Sequence, residues 1–201
     1  GENDLGQKLL DDWMQSLASN PDVYGPMTVI SVPVISRIRE LPNEVMEVAL
    51  TSASALLSGP KQRGKLNELL ARSGLAIGAM RSGDVEEAAS HYQALKNMGE
   101  YTLVFHMGWN RLLGLLAHTI GDLEASRGHF EDSIAFCRKA GYRPELAWSL
   151  HDCADMLLER GGPGDQEKAS AMLDEALQIS TDLGMRPLME RVLSKRDILK
   201  A

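Results

Sequence analysis

The fold is decided by residues 121–143, which read GDLEASRGHFEDSIAFCRKAGYR. Small and apolar residues recur there every three or four positions, the spacing of one face of an α-helix. They are Leu123, Ser126, Phe130, Ser133, Ile134 and Cys137. Asp122 predicts the N-cap, because a side-chain oxygen at that position accepts a first-turn backbone N–H. Gly141 predicts a left-handed residue that ends the helix, and Pro144 predicts the start of the next one.

The same start and stop signals recur along the chain. The pattern G-D-x-E begins at Gly83, Gly121 and Gly164, at spacings of 38 and 43 residues. The pattern G-x-R-P begins at Gly141 and Gly184, again 43 residues apart. Two different patterns with one period in this range predict a stacked array of helix pairs. The predicted fold class is therefore all-α, a solenoid (superhelix) of about ten antiparallel helices.

The periodicity predicts three repeats between two end regions. Residues 1–60 lack G-D-x-E and are interpreted as divergent helical repeats or a cap. The three helix pairs are predicted at 61–99, 100–141 and 142–186, with the first helix of the second pair at 102–120. A capping helix is predicted at 187–201, because a terminal repeat needs a polar outer face.

Within the first region three helices are predicted. One covers residues 3–19, and one covers residues 27–41 with a bend at Pro33, since proline removes a helical hydrogen bond. The third covers residues 44–57, with Asn43 as its N-cap.

Composition and charge limit the function classes. The chain has 201 residues, 44% hydrophobic and 24% charged, which is ordinary for a globular domain. A net charge of −7 argues against direct nucleic-acid binding by this segment. No apolar run approaches the roughly 20 residues that cross a bilayer, and no signal-peptide pattern is found. The predicted location is the cytoplasm, and the chain, which starts at Gly1, is interpreted as part of a longer protein.

Residues with reactive side chains do not form a recognisable catalytic pattern. His91 and His129 occupy equivalent repeat positions and are interpreted as structural surface residues. His151 and Asp155 have the i, i+4 spacing that could hold a metal, but a hydrogen-bonded helix interior is the preferred interpretation. The glycine-rich stretch 161–165 lacks the G-x-x-x-x-G-K-[ST] pattern of a phosphate loop. The sequence predicts no enzyme, no metal and no cofactor.

The two cysteines, Cys137 and Cys153, both fall inside predicted helices. They are interpreted as buried thiols without a disulfide, in keeping with a cytosolic protein.

Aligned on their G-D pairs, the repeats resemble the tetratricopeptide repeat, and this resemblance implies that the solenoid is a right-handed superhelix. Their second helices carry a small residue followed four positions later by a large one, Ala88/Tyr92, Ser126/Phe130 and Ala169/Leu173. Their first helices carry Ala76/Ala79, Gly114/Ala117 and His151/Ala154 at the mid-helix small positions. Leu173 and His151 depart from the family pattern, which has an aromatic and a small residue there.

Residues 61–201 further resemble the C-terminal tetratricopeptide region of large bacterial LuxR-type or cyclase-type multidomain regulators. The resemblance is carried by three runs, RLLGLLA (111–117), HFEDSIAFCRKAGYRPELAW (129–148) and LMERVLSKRDILKA (188–201). It implies an intracellular sensing or protein-binding segment of a signalling protein, and the preferred interpretation is a non-catalytic protein–protein interaction module of a transcriptional or signalling regulator. No catalytic residue can be carried over from this region.

The first helix of each pair is expected to line the concave side of the solenoid. The groove-facing candidates, chosen as the polar and aromatic residues on that side, are Arg81, Arg111, His118, Trp148, Asp152 and Asp155. Apolar residues between them are Ile77, Leu115 and Met156. Arg and Trp are enriched at binding hot spots, and a peptide carboxylate could meet Arg81 and Arg111. The alternative for Trp148 is a core position between repeats.

Two other functions stay open at this point. The solenoid could be a sensing domain that holds a small-molecule effector inside the superhelix. It could also be an intramolecular scaffold, or form a homodimer through its end helices. The identity of the partner, the oligomeric state, the flanking domains and the role of residues 1–60 are left open by the sequence.

Overall fold

A computed structural model describes residues 8, 12, 21–59, 64–99, 103–104 and 107–200. These residues contain nine helices and one short β-ladder. The helices are α1 (Pro21–Ile38), α2 (Asn43–Ser58), α3 (Lys65–Ser82), α4 (Val85–Asn97), α5 (Trp109–Thr119), α6 (Leu123–Ala140), α7 (Arg143–Arg160), α8 (Asp165–Asp182) and α9 (Arg186–Lys200). The strands, β1 (Leu103–Val104) and β2 (Met107–Gly108), lie between α4 and α5. The helix predicted at 3–19 falls outside the described residues, apart from Lys8 and Asp12, which are helical.

The chain divides into two compact units, residues 1–81 and residues 82–201. The first unit contains α1, α2 and most of α3, and the second contains α4 to α9. The predicted boundary after residue 60 and the predicted limits of the three helix pairs stay predictions.

In the first unit, α1 packs on α2 through a small apolar cluster. The helix predicted from residue 27 is confirmed but begins at Pro21, where the first helical turn tolerates a proline. The predicted cap Asn43 is wrong, because Asn43 is already the first helical residue and Pro42 precedes it without a side-chain cap. The Asn43 Oδ1 atom instead accepts a 3.4 Å hydrogen bond from Arg81 Nη2. A Cβ on Gly74 would lie 1.8 Å from the Val29 carbonyl oxygen, so α3 and α1 touch backbone to backbone.

In the second unit the predicted helix signals mostly lie where expected. Asp84 and Asp122 accept backbone N–H groups at 2.9 and 3.0 Å and cap α4 and α6. Gly141 ends α6 with φ 68°, the left-handed conformation that glycine adopts without strain. In the third repeat Gly164 takes the cap position and Asp165 is the first helical residue. The local residue pattern is therefore sufficient to place these helix ends.

The helix predicted at 102–120 is wrong over its first part. Leu103 pairs with Gly108 and Val104 with Met107 in an antiparallel ladder, and α5 begins only at Trp109. The run 101–109, YTLVFHMGW, is rich in β-branched and aromatic residues, which favour strands over helices.

The helices of the second unit form two layers. Contacts between alternate helices join α5 to α7 and α7 to α9, through Arg111–Asp152 and Asp155–Lys195. Equivalent contacts join α4 to α6 through Tyr92–His129, and α6 to α8 through Arg138–Glu175. Helices α5, α7 and α9 are called the first-helix layer, and α4, α6 and α8 the second-helix layer. Together with the packing of consecutive helices, this arrangement confirms an all-α helical-repeat fold.

Small residues allow α5 and α6 to approach closely. A Cβ on Gly114 would lie 3.0 Å from the Phe130 ring, which is completely buried. Ser126 is also buried and donates its hydroxyl to the Gly114 carbonyl oxygen at 2.8 Å. The small–aromatic pattern of the sequence therefore has a direct packing cause. In the next repeat the completely buried Leu173 takes the place of the ring.

Both cysteines are free and buried, as predicted. Burial raises the pKa of Cys137 to about 11 and that of Cys153 to about 12. Thiols in this state are poor nucleophiles, because the thiolate is the reactive form. His91 is buried as well, so its interpretation as a surface residue is wrong. His129 is half-buried and forms a 3.0 Å hydrogen bond with the Tyr92 hydroxyl.

The α7–α8 connection depends on the Asp165 carboxylate. It accepts hydrogen bonds from Arg160 Nη2 at 2.7 Å, from Arg160 Nε at 2.8 Å and from the Gly162 N–H at 2.9 Å. The Arg160 hydrogen bonds lower the pKa of Asp165 from 3.8 to about 2. Because the folded pKa is below the unfolded one, the stabilisation is complete above about pH 4 and is lost as the pH falls towards 2.

We expect Asp165→Asn to lower the melting temperature at pH 7 and to have progressively less effect below pH 4. Thermal unfolding of both proteins between pH 7 and about pH 2 measures this difference. Glu167→Gln, an exposed change in the same helical turn, is the control. A difference between wild type and Asp165→Asn that does not change with pH would contradict the assignment.

Candidate functional site

The first-helix layer of the second unit contains a buried charge cluster. Arg111 on α5 donates from Nε to Asp152 Oδ2 at 2.7 Å and from Nη1 to Glu145 Oε2 at 3.1 Å. The side chains of Arg111, Glu145 and Asp152 are only 4%, 2% and 3% exposed. Both carboxylates belong to α7, so the cluster joins the first helices of successive repeats.

Two further contacts extend the cluster. The Gly108 N–H donates to Glu145 Oε1 at 2.7 Å, which ties β2 to α7. His151 Nδ1 lies 3.2 Å from Asp152 Oδ1. A Cβ on Gly108 would lie 2.9 Å from Glu145 Oε1, so a side chain at this position would force the Glu145 carboxylate to shift.

The protonation of the cluster follows from its burial. Burial alone would lower the pKa of Arg111, but the Glu145 and Asp152 carboxylates outweigh it and the pKa is raised. Burial raises the pKa of Glu145, while the Arg111 charge and the Gly108 N–H oppose that rise. Arg111 therefore stays charged, and one guanidinium is shared between two carboxyl groups away from water.

Trp148 lies next to this cluster and joins it to α9. The Arg111 guanidinium carbon is 5.2 Å from the Trp148 ring centroid, and that of Arg191 is 5.5 Å away. Both distances are within the range of a cation–π interaction. Trp148 is 6% exposed, so it packs between the first helices of the layer.

More accessible polar and charged side chains lie further along the same layer. His118 Nε2 on α5 is 2.8 Å from Glu159 Oε2 on α7, and Asp155 Oδ1 on α7 is 3.1 Å from Lys195 Nζ on α9. The Glu159 side chain is 64% exposed and that of Lys195 is 41% exposed. We call these four residues the first-helix surface.

The six predicted groove residues fall into three groups. Arg111, Trp148 and Asp152 are brought together but are buried, so the expectation that they face open solvent in a groove is wrong for these three. The physical reason is that the carboxylates one repeat later satisfy Arg111 and close over it. His118 and Asp155 are partly exposed in the first-helix surface. Arg81 is exposed in the first unit, at the end of α3.

The apolar residues predicted between them, Ile77, Leu115 and Met156, are all buried. The binding roles of the six polar and aromatic candidates stay a prediction.

Four further residues of this layer were not among the predicted groove residues, although Arg191 and Lys195 were predicted to lie on the polar outer face of the last helix. They are Glu145, Glu159, Arg191 and Lys195, each of which contacts a predicted residue on a neighbouring first helix. The signal that could have found them is the repeat spacing, because Glu145 and Glu159 lie 34 and 41 residues after their partners. Residues one repeat apart on equivalent helices become spatial neighbours.

Metal binding and membrane crossing have no support among the described residues. No group of three or more His, Cys, Asp or Glu side chains is placed to hold a metal there. Asp155, half of the pair considered for chelation, faces Lys195 instead. None of the helices in the described ranges is both long and apolar enough to traverse a bilayer.

Comparison with known proteins identifies one similarity. Residues 106–182 match the family described as tetratricopeptide repeat. No curated protein and no solved structure matches the chain. The matched segment contains α5 to α8, which form two successive helix pairs. Tetratricopeptide repeats generally act as non-catalytic protein–protein interaction modules. The fold is thus all-α and tetratricopeptide-like, and over residues 106–182 the chain is similar to the tetratricopeptide repeat family.

Proposed function

We propose that this protein is a non-catalytic interaction module of a bacterial transcriptional or signalling regulator in the cytoplasm. Its second unit binds a protein or peptide partner through the first-helix surface. The observation that carries the proposal is a pair of side-chain contacts, the His118–Glu159 hydrogen bond and the Asp155–Lys195 ion pair, that link three successive first helices. Two of these helices, α5 and α7, belong to the segment similar to tetratricopeptide repeats.

The energetics of these contacts favour exchange with a partner. An ion pair between exposed side chains contributes only about 0–1 kcal/mol to folding. A partner can therefore replace one member of the contact with its own charged group at little cost. Since the surface offers both signs of charge, it suits a partner segment with alternating charges, for which electrostatic complementarity supplies specificity.

The buried cluster has a different task in this proposal. Arg111 and Asp152 fix the spacing of α5 and α7, and Trp148 with Arg191 fixes α9 against α7. A binding surface on rigid elements loses less conformational entropy on association. The predicted residues therefore divide into supports (Arg111, Trp148 and Asp152) and contacts (His118 and Asp155). Arg81 is a separate candidate contact in the first unit.

The experiment selects peptide ligands from a random peptide library on the wild-type chain and measures the affinity of the enriched sequence. We expect Glu159→Arg to weaken binding of that peptide at least about tenfold, because reversing the charge at this position places like charges of the peptide and the protein together. Glu175→Arg is the matched control, since Glu175 forms the corresponding ion pair with Arg138 between successive helices of the opposite layer. This control should keep the wild-type affinity.

Two outcomes would oppose the proposal. Equal affinity of wild type and Glu159→Arg would show that the first-helix surface is not the binding face. A loss of peptide affinity in Glu175→Arg alone would show that the peptide binds to the second-helix layer. The regulator context is tested separately by the full-length gene product, which should contain a DNA-binding, ATPase or cyclase-type domain next to this segment.

A further inference from the structure

A cavity of about 540 Å³ lies in the second unit, lined by residues of both helix layers. It is formed by the end of α4, the first half of α5 and the middle of α6. Its volume falls within the range typical of small-molecule sites, roughly 300–1,000 Å³. The first-helix surface contributes no residue to it.

Two opposite charges line this cavity. Lys96 comes from α4 and Asp132 from α6, and both are exposed. Lys96 Nζ lies 5.0 Å from the centroid of the Tyr92 ring, which is a cation–π contact. Within the described part of the chain neither Lys96 nor Asp132 forms an ion pair. Other charged residues of α6 do: Glu124 and Glu131 both pair with Arg127. A ligand with two opposite charges could therefore bridge Lys96 and Asp132 without breaking an existing pair.

The cavity also has large apolar walls. Trp109 and Leu113 on α5 line the cavity and are almost completely buried, whereas Phe136 on α6, which also lines it, is 39% exposed. An exposed aromatic ring at the edge of a cavity gains contact area when an apolar group enters. His129 also lines the cavity, and burial together with the Lys96 charge lowers its pKa, so its ring is neutral at pH 7. Among the described residues that line the cavity, the charged side chains are therefore those of Lys96 and Asp132.

We propose that this cavity binds a free amino acid with an aromatic or large apolar side chain. The ligand carboxylate contacts Lys96, the ligand ammonium contacts Asp132, and the side chain packs between Leu113 and Phe136. The inference does not rest on the first-helix surface or on its partner. It adds a second recognition site, for a small molecule, to the same unit.

The test uses L-phenylalanine as the probe and follows the backbone amide resonances of the whole chain. We expect saturable shifts at Gly99, Gly108 and Ser133, which line the cavity. N-acetyl-L-phenylalanine lacks the ammonium and L-phenylalaninamide lacks the carboxylate. Each should bind about tenfold more weakly, the usual effect of losing one hydrogen bond between charged groups.

Two variants test which charged group of the ligand contacts Asp132 and which contacts Lys96. Asp132→Asn should weaken L-phenylalanine about tenfold and leave N-acetyl-L-phenylalanine unchanged, because that probe no longer has the ammonium. Lys96→Gln should weaken L-phenylalanine equally and leave L-phenylalaninamide unchanged. Glu86→Gln on α4 and Lys139→Gln on α6 are matched controls at exposed positions outside the cavity lining.

Three results would overturn the inference. The first is no saturable shift at these three amides with L-phenylalanine up to about 10 mM, a concentration that detects even very weak binding. The second is equal binding of all three probes. The third is an equal loss of affinity for L-phenylalanine and for N-acetyl-L-phenylalanine in Asp132→Asn. None of these results affects the peptide selection, so the two proposals fail or stand separately.

Discussion

Arg111→Met is expected to lower the free energy of unfolding by about 3–5 kcal/mol, because it leaves two buried carboxylates without their cation. Glu145 and Asp152 would lose hydrogen bonds of 3.1 and 2.7 Å and could not reach water. Methionine keeps much of the side-chain volume, so the loss reports charge rather than packing. Urea unfolding at pH 7 measures it.

Arg127→Met is the matched control for this prediction. Arg127 on α6 also pairs with two carboxylates, Glu124 and Glu131, but its side chain is 41% exposed. Its replacement should cost no more than about 1 kcal/mol, as for other exposed ion pairs. Equal losses in Arg111→Met and Arg127→Met would contradict the role assigned to burial.

The loss of unfolding free energy caused by Arg111→Met (its deficit) should also depend on pH in a defined direction. Burial already raises the pKa of Glu145 in the wild-type protein, and removal of the guanidinium raises it further. A carboxyl group whose folded pKa is raised destabilises the fold fully above that pKa, and the cost disappears as the pH falls below the unfolded pKa. The deficit should therefore be largest at neutral pH and shrink in acid. A constant deficit down to about pH 4 would argue for a packing effect instead.

Phe130→Ala is expected to cost about 3–5 kcal/mol, the usual range for removing a completely buried aromatic ring. The ring fills the space beside Gly114 on α5, where it supplies the three atoms nearest to a Cβ built on that glycine. Its removal leaves a cavity between α5 and α6 at the centre of the second unit. Chemical unfolding followed by circular dichroism measures the loss.

Two further variants test whether the interlock between Phe130 and Gly114 causes this loss. Phe130→Leu should cost less than about 1.5 kcal/mol, because leucine already fills the equivalent position at Leu173. Gly114→Ala places a Cβ 3.0 Å from the ring, so it should destabilise the wild-type protein more than it destabilises Phe130→Ala. Additive effects of Gly114→Ala and Phe130→Ala would show that the two residues do not interlock.

Helix ends were predictable where the signal is local. Asp84, Asp122 and Gly141 act on backbone groups within three to five residues, and each was identified correctly. The β-ladder before α5 was missed because the apolar run that follows residue 101 also fits helical spacing. Short apolar runs do not separate a strand from a helix by periodicity alone. The backbone pairing between Leu103 and Gly108 makes this segment a strand rather than a helix. Such pairing depends on contacts between two segments of the chain, which the periodicity of one segment does not show.

The candidate site was predictable in its location but not in its exposure. The repeat register correctly placed Arg111, Trp148 and Asp152 on neighbouring first helices. It could not show that Arg111 is satisfied internally, because Glu145 and Asp152 lie 34 and 41 residues later in the chain. A charged side chain on a helix face has the same local pattern whether it meets water or a buried partner.

The sequence alone determined the all-α class, the repeat period and most helix ends, because these depend on contacts within one or two helical turns. Only the tertiary structure decided which polar residues are buried, such as Arg111, and which are exposed, such as Glu159. The same holds for the cavity between α4, α5 and α6. The reason is that stacking brings together residues a full repeat apart, and their burial depends on what each one meets there.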